Sequence, residues 1–194
     1  MEFLNLPVSK LAEELVTRLP STRPMWHPLG FVSTTLFNYQ TGTLKLHLWP
    51  QGERRSKIPD WPIHDHSFHI SSRILLGEVG SLNYSITEGT TFRRYSVTYV
   101  GEDSELRPTE QLVDCMESAR AVMKAGSRYE LPCGTYHENV VPTTELALTL
   151  VFKSRAAKSP PNVIGTLAIP DLPLYQRTPY PISSLLTVVS QLSK

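Results

Sequence analysis

The chain has 194 residues, of which 40% are hydrophobic and 19% are charged, a composition typical of a soluble globular protein. Nineteen basic and eighteen acidic residues leave a net charge of +1, so no strong field attracts nucleic acid or an anionic membrane surface. No apolar run reaches the length of a membrane span, and the N-terminus lacks the features of a signal peptide. Cys115 and Cys133 alone do not make the disulfide framework of a secreted protein, although the sequence permits one disulfide between them. We therefore expect a single domain, residues 1–194, in a reducing cytoplasm.

An apolar stripe predicts a helix over residues 9–19, which Ser9 caps and Pro20 ends. From Gly30 onward the hydrophobic period changes to two, which predicts strands. The alternating sets are Leu44, Leu46 and Leu48; Leu82, Tyr84 and Ile86; Tyr95, Val97 and Tyr99; and Leu146, Leu148, Leu150 and Phe152. Strands spaced this evenly, with Gly or Pro between them, indicate an all-β sandwich or barrel.

Three later segments are less regular. Residues 109–124 fit a helix about as well as a strand, and we favour a strand for the second half. Residues 163–169 are compatible with one more strand, and residues 183–192 predict a short C-terminal helix. The proline-rich segment 155–181 either covers the mouth of the barrel or mediates dimerisation, and the chain is expected to be a monomer or a homodimer.

Three of the six histidines lie within residues 61–69. If this segment is extended, His64 and His66 point to one side and Asp65 to the other, because side chains two apart share a face. Histidine is the commonest metal ligand near neutral pH. A lone His-x-His pair is nevertheless common on ordinary strands, so a metal site requires a further ligand from elsewhere.

Residues 126–137 supply a candidate for that ligand. Gly126 permits a sharp turn, residues 128–131 form a strand pattern, and residues 132–134 suit a tight turn that reverses the chain. This hairpin returns His137 at the start of the following strand. Three neutral imidazole nitrogens, from His64, His66 and His137, then complete a potential metal site.

These two segments resemble the two motifs of the cupin superfamily. His64-x-His66, followed by Gly77 after a short strand, is similar to the first cupin motif. Residues 126–137 match the second motif, Gly-x5-Pro-x-Gly-x2-His, position by position up to the histidine. The resemblance covers residues 30–153 and implies a small jelly-roll barrel that binds one metal ion inside. The predicted helices lie at its two ends, and residues 154–194 form a C-terminal extension.

The chain departs from the cupin pattern at two places. The asparagine of the second motif is replaced by Val141, with Asn139 nearby. The glutamate ligand that cupins carry after the histidine pair falls at Ile70 or Ser71, and neither is a metal ligand. The resemblance therefore implies a three-histidine centre. Within the superfamily, residues 63–69 and 137–140 are similar to the thiol dioxygenases, the cysteine and cysteamine dioxygenase group.

This resemblance implies a mononuclear non-haem Fe(II) dioxygenase that acts with O2 on a small anionic, metal-chelating substrate. Without a carboxylate ligand, the full +2 charge of the ion favours a thiolate, carboxylate or enolate. Ile70 and Ser71 exclude the cysteine that animal cysteine dioxygenases crosslink to a tyrosine, and Tyr39 is only a loose match to a substrate-binding residue. The alternatives are a cupin that uses Zn, Mn or Ni for isomerase or lyase chemistry, and a non-catalytic cupin that binds a small molecule.

Two residues are further candidates for a catalytic role. The resemblance implies that His69 acts as an acid or base near the metal, the alternative being a hydrogen-bonding residue of the core. Arg73 either faces the interior and binds a substrate anion or lies outside the barrel, and strand parity near a possible bulge does not decide. Arg128 presents the same alternatives. His27 and His47 are interpreted as structural residues.

Overall fold

The computed structural model describes residues 3–155, 159–172 and 174–193, so residues 156–158 and 173 of the proline-rich segment lie outside the described part. Helix α1 spans Val8–Arg18 and helix α2 spans Ile182–Val189, and each continues into a short 3-10 turn. The strands are β1 (Met25–Trp26), β2 (Val32–Tyr39), β3 (Gly42–Trp49), β4 (Ile70–Leu76), β5 (Glu78–Val100), β6 (Asp103–Lys124), β7 (Arg128–Leu131), β8 (Tyr136–Val140), β9 (Ala147–Ser154) and β10 (Asn162–Gly165).

Both predicted helices are present. Helix α1 begins one residue earlier than expected, and its N-cap position is Pro7, without a side-chain cap from Ser9. The segment that was ambiguous between helix and strand is extended, because β6 pairs with β5 along most of its length in one long hairpin with register shifts. Among the described residues, no helix is long and apolar enough to span a membrane.

The strands form two antiparallel sheets. The first has the order β1-β2-β3-β9-β4-β7. In the second, β5 pairs with β6 on one side and with β8 and β10 on the other. An extended segment at His64 adds to this sheet through a bridge to His137 of β8. Strands β1 to β4 all belong to the first sheet, and from β6 onward successive strands alternate between the two sheets. The predicted all-β fold class, with antiparallel sheets and a helix near each end, is confirmed. The cupin type stays what the sequence resemblance implies.

The turn from β4 into β5 passes the chain from one sheet to the other through Gly77. Its backbone has φ of +69°, in the left-handed region that favours glycine. A Cβ atom at this position would also collide with the carbonyl oxygen of Leu146. The glycine of the first motif is therefore required by the backbone path at the point where the sheets meet.

The largest apolar core lies outside the barrel, between the six-stranded sheet and the two helices. Leu44, Leu46 and Leu48 of β3 belong to it and are almost fully buried. The alternate residues of the same strand, Lys45 and His47, line a cavity on the opposite face. The alternation along β3 thus separates a helix-covered outer face from an interior that is partly polar.

Candidate metal centre

Three histidines converge on the cavity between the two sheets. His64 and His66 lie in the irregular segment before β4, and His137 is the second residue of β8. Their candidate ligand nitrogens all lie within 4.8 Å of one another. The ring centroids are 4.7 Å apart for His64 and His66, 4.4 Å for His64 and His137, and 5.1 Å for His66 and His137. Every histidine of the predicted ligand set is therefore brought together.

Backbone hydrogen bonds hold the two motifs against each other. The His64 amide donates to the His137 carbonyl at 3.0 Å, and the His137 amide donates back at 2.9 Å. The Gly134 amide, in the turn of the second motif, donates to the His66 carbonyl at 2.9 Å. The hairpin that delivers His137 is thus fastened directly to the His-x-His segment, although that segment is not a regular strand.

Asp65 points away from the side chains of His64 and His66 and anchors the segment to strand β10. Its carboxylate accepts hydrogen bonds from the Asn162 backbone amide and from the Asn162 side chain, the latter at 3.1 Å. The Asp65 amide in turn donates to the Asn162 carbonyl at 3.0 Å. Strand β10 therefore supports the ligand segment, which the sequence pattern of residues 162–165 did not indicate.

Two of the three histidines have the ring tautomer that metal binding requires. His64 donates its Nδ1–H to the Pro62 carbonyl at 2.8 Å, and His137 donates its Nδ1–H to the Thr135 carbonyl at 3.3 Å. Both Nε2 lone pairs are left for a ligand. Burial lowers the pKa of His137 to about 3 and lowers the pKa of His64 and His66 as well. The rings are therefore neutral at pH 7, as metal ligation needs.

No carboxylate joins this cluster among the described residues. Ile70, one of the two positions at which the resemblance would place a glutamate, lines the cavity from β4 and is buried. Ser71 is turned away and donates its hydroxyl to Glu130 at 2.7 Å. The carboxylate of Glu138, next to His137, accepts a 2.6 Å hydrogen bond from Tyr84. Three neutral nitrogens suit a divalent transition metal such as Fe, Zn, Mn or Ni better than Ca²⁺ or Mg²⁺, which prefer oxygen.

The cavity that holds the triad has a volume of about 380 Å³, within the range of small-molecule sites. Lys45, Arg54, Lys153 and Arg177 contribute to its walls, against the acidic residues Asp60 and Glu138. Arg54 is committed to backbone carbonyls, which leaves three basic groups for a ligand. The cavity is therefore electropositive even before a metal ion is added.

Neither lysine of the cavity has an ion-pair partner in the described part of the chain. Lys45 Nζ lies 3.4 Å from the Ser33 hydroxyl, and burial beside Lys153 and Arg177 lowers the pKa of Lys45 to about 8. Lys153 Nζ lies 4.9 Å from the centroid of the Phe68 ring, which itself stacks 4.8 Å from His66. The Phe68 ring thus contacts both the Lys153 ammonium and a triad ring.

Five of the six histidines line the cavity, because His27 and His47 join the triad there. The Phe31 ring lies 4.2 Å from His27 and 4.8 Å from His47. The Leu29 amide donates to His27 Nδ1 at 3.3 Å, so His27 carries its proton on Nε2. Burial lowers the pKa of both rings well below the usual value. The sequence interpretation of both as structural missed their place in the cavity wall; the polar side of the β3 alternation was the available signal for His47.

The other candidates lie elsewhere. His69 is outside the cavity and its Nε2 lies 2.8 Å from the Glu130 carboxylate in a half-exposed pair. Arg73 faces outward from β4 and donates to the carbonyls of Leu4 and Leu6, at 3.2 and 2.6 Å, which ties down the N-terminal segment. Arg128 donates to the Asn5 side chain at 2.6 Å. The structure thus does not bring His69, Arg73 or Arg128 to the triad. Arg73 lies on the outward face of β4, and Arg128 of β7 is its register partner.

A strap, residues 174–181, crosses one end of the barrel between the two sheets. Tyr175 exchanges backbone hydrogen bonds with Ser104 of β6, and the Trp26 amide of β1 donates to the Thr178 carbonyl at 2.9 Å. Between these attachment points, Arg177 lines the cavity. This part of the proline-rich segment therefore links the two sheets beside the cavity, whereas the two roles expected for the segment, covering the mouth and dimerisation, stay predictions.

Comparison with known proteins adds two distant similarities of fold. No protein-family model and no curated protein sequence matches the chain. The crystal structure of Rru_A2000 from Rhodospirillum rubrum, a cupin-2 domain, is 13% identical with a TM-score of 0.43, over 73% of this chain and 74% of that one. Drosophila melanogaster CENP-C, in its complex with CAL1, is 11% identical with a TM-score of 0.40, over 75% and 95%. Neither similarity assigns a family or a function to this chain.

Proposed function

We propose that this chain is a metal-binding cupin and, more specifically, a mononuclear Fe(II) oxygenase that uses O2 on a small anionic substrate, with a thiol dioxygenase as the nearest named activity. The observation that carries the proposal is the convergence of His64, His66 and His137 in one cavity. The residues of both cupin motifs supply this set, and no carboxylate accompanies it among the described residues. A bound redox-active ion would hold substrate and O2 in contact and mediate electron transfer between them.

The chain's own residues support an anionic substrate. The three histidines bring no negative charge, since their lowered pKa values keep them neutral. Lys45, Lys153 and Arg177 face the same cavity without a carboxylate partner among the described residues. In a buried site such cations are expected to bind and orient an acidic group. Phe31 and Phe68 add aromatic surface to the same cavity wall, and the Phe68 ring stacks 4.8 Å from His66.

A second candidate function follows from the ligand set itself. Three histidines with an open position also form catalytic zinc sites, in which the ion polarises a carbonyl or activates water without redox chemistry. A cupin isomerase or lyase that uses Zn, Mn or Ni would need the same triad and the same electropositive cavity. The two functions therefore differ in the metal and in the use of oxygen.

Metal analysis of protein from its natural host, combined with O2 uptake against thiols and small acids, tests the proposal. We expect about one iron per chain and O2 consumption that depends on an acidic or thiol substrate. Zinc at the same stoichiometry, with isomerase or lyase turnover and no oxygen uptake, would support the second candidate. Tight binding of a small molecule by protein that takes up no metal would instead indicate a non-catalytic binding cupin and reject both.

A further inference from the structure

A side branch of about 80 Å³ opens behind the triad. His64, His66 and Arg177 line both this branch and the main cavity, so the two spaces share a wall. Lys57, from the loop before the first motif, lines the branch but not the main cavity. The volume accommodates about two to three water-sized groups, which is the size of a carboxylate or a phosphate head.

Two basic side chains in the branch have unused hydrogen-bond donors. Lys57 is only 8% exposed, and its ammonium has no hydrogen-bond partner among the described residues. Arg177 has the same deficit at Nε, which is also buried. Buried polar groups are almost always paired, and an unpaired buried cation is especially unfavourable. Two such groups at one small space point to a ligand that accepts hydrogen bonds from both.

The acidic groups around the branch do not compensate these cations. Asp65 lines the branch, but its oxygens accept hydrogen bonds from Asn162. Asp60 also borders the branch and is exposed, and no ion pair joins it to Lys57 or Arg177 in the described part of the chain. Glu105 acts on Lys57 only from a distance, since it forms its ion pair with Arg107.

We propose that this branch is an oxyanion site, in which Lys57 Nζ and Arg177 Nε together bind one carboxylate or phosphate group. The anion has two possible sources. It is either the far acidic end of a substrate whose other end reaches the metal, or a free oxyanion that completes the site. The first source rests on the function proposed above, whereas the anion site itself does not depend on a metal.

Calorimetric titration of inorganic phosphate into metal-free protein tests the site without involving the triad. We expect one phosphate per chain, and a loss of about 10- to 100-fold in affinity in Lys57→Met and in Arg177→Met, the range for removal of a charged hydrogen bond. Lys10→Met, on the exposed face of α1, is the matched control and should bind within about twofold of wild type. Lys57→Arg keeps the charge and should retain most of the affinity. It serves as the second test of this position if Lys57→Met folds poorly.

Titration of succinate and butyrate into Co(II)-loaded protein distinguishes the two sources. If the anion belongs to the substrate, succinate should bind about tenfold or more tightly than butyrate, and Lys57→Met should remove that difference. If the oxyanion is free, phosphate should bind without reducing the change that succinate causes in the Co(II) spectrum. The anion site is refuted if neither phosphate nor succinate binds, or if both variants bind them as wild type does. A protein that binds phosphate but no Co(II) would refute the proposed function and leave the anion site standing.

Discussion

Replacing Lys45 by Met should stabilise the protein at pH 7. Lys45 is a largely buried cation whose pKa falls from 10.5 to about 8, first because burial disfavours the charged form and then because Lys153 and Arg177 repel it. Each pKa unit corresponds to about 1.4 kcal/mol, so the charged ammonium costs the folded state about 3 kcal/mol. Methionine keeps the apolar stem and removes the charge.

Two effects reduce the expected gain. The substitution removes the 3.4 Å hydrogen bond from Lys45 to the buried Ser33 hydroxyl, which offsets about 0.5–1 kcal/mol. Residual solvent around the ammonium lowers the electrostatic cost further. We therefore expect Lys45→Met to raise the free energy of unfolding by about 2 kcal/mol at pH 7. The same change should weaken the binding of an anionic ligand, since it removes one of three free cations in the cavity.

The pH dependence identifies the cause. Below pH 8 both folded and unfolded chains carry the proton on Lys45, so the full cost is present. Between about pH 8 and 10.5 the unfolded chain binds more protons than the folded one, so wild-type stability rises with pH in this window. The advantage of Lys45→Met should therefore shrink from pH 8 and vanish above about pH 10.5.

Urea denaturation of wild type and Lys45→Met at pH 7, 9 and 10.5 measures this effect. Lys10→Met, an exposed change on α1, is the control and should shift stability by less than about 0.5 kcal/mol at each pH. A variant that is less stable than wild type at pH 7, or a gain that does not change with pH, would refute the view that Lys45 carries an uncompensated charge.

Three further predictions concern the surroundings of the triad. Arg73→Met should lower stability by about 1–3 kcal/mol, because the carbonyls of Leu4 and Leu6 lose their donor, while the metal content stays at the wild-type level. Asp65→Ala should weaken metal affinity about 10-fold or more in a chelator competition, since Asn162 no longer holds the ligand segment; unchanged affinity would contradict this positioning role. The metal-free protein should lose stability as pH falls below about 6.5, by up to about 1.4 kcal/mol per pH unit for each buried histidine of the cavity, because only the unfolded chain then gains those protons. Thermal unfolding between pH 7.5 and 5 measures this loss, and a flat profile would contradict it.

The ligand set could be predicted from sequence because each part of it is local. The spacing of His64 and His66 places both rings on one side even in an irregular segment, and the glycines around the second hairpin restrict how the chain delivers His137. The helices and most strands follow from hydrophobic periodicity for the same reason: each depends on neighbours within a few positions.

The composition of the cavity wall could not be predicted in the same way. The alternation along β3 shows two faces, but both are covered, one by the helices and one by the second sheet, so periodicity does not say which face is the interior. The sequence therefore does not show that Lys45 of this strand lines the interior. Arg177 lies in an irregular strap, where no periodicity exists and only the tertiary fold brings the side chain to the cavity. Of the two orientations open for Arg73, the structure shows the outward one. The sequence could not decide, since the strand parity of Arg73 depends on where regular pairing of β4 begins.

The most direct test of the account is metal binding by His137→Ala compared with His47→Ala. Both residues are cavity histidines with a lowered pKa, but only His137 belongs to the triad. After loading with Co(II), we expect about one ion per wild-type chain, with the visible spectrum of a nitrogen-ligated centre. His47→Ala should retain this ion and His137→Ala should lose it. Equal metal content and identical spectra in wild type and His137→Ala would contradict the three-histidine centre.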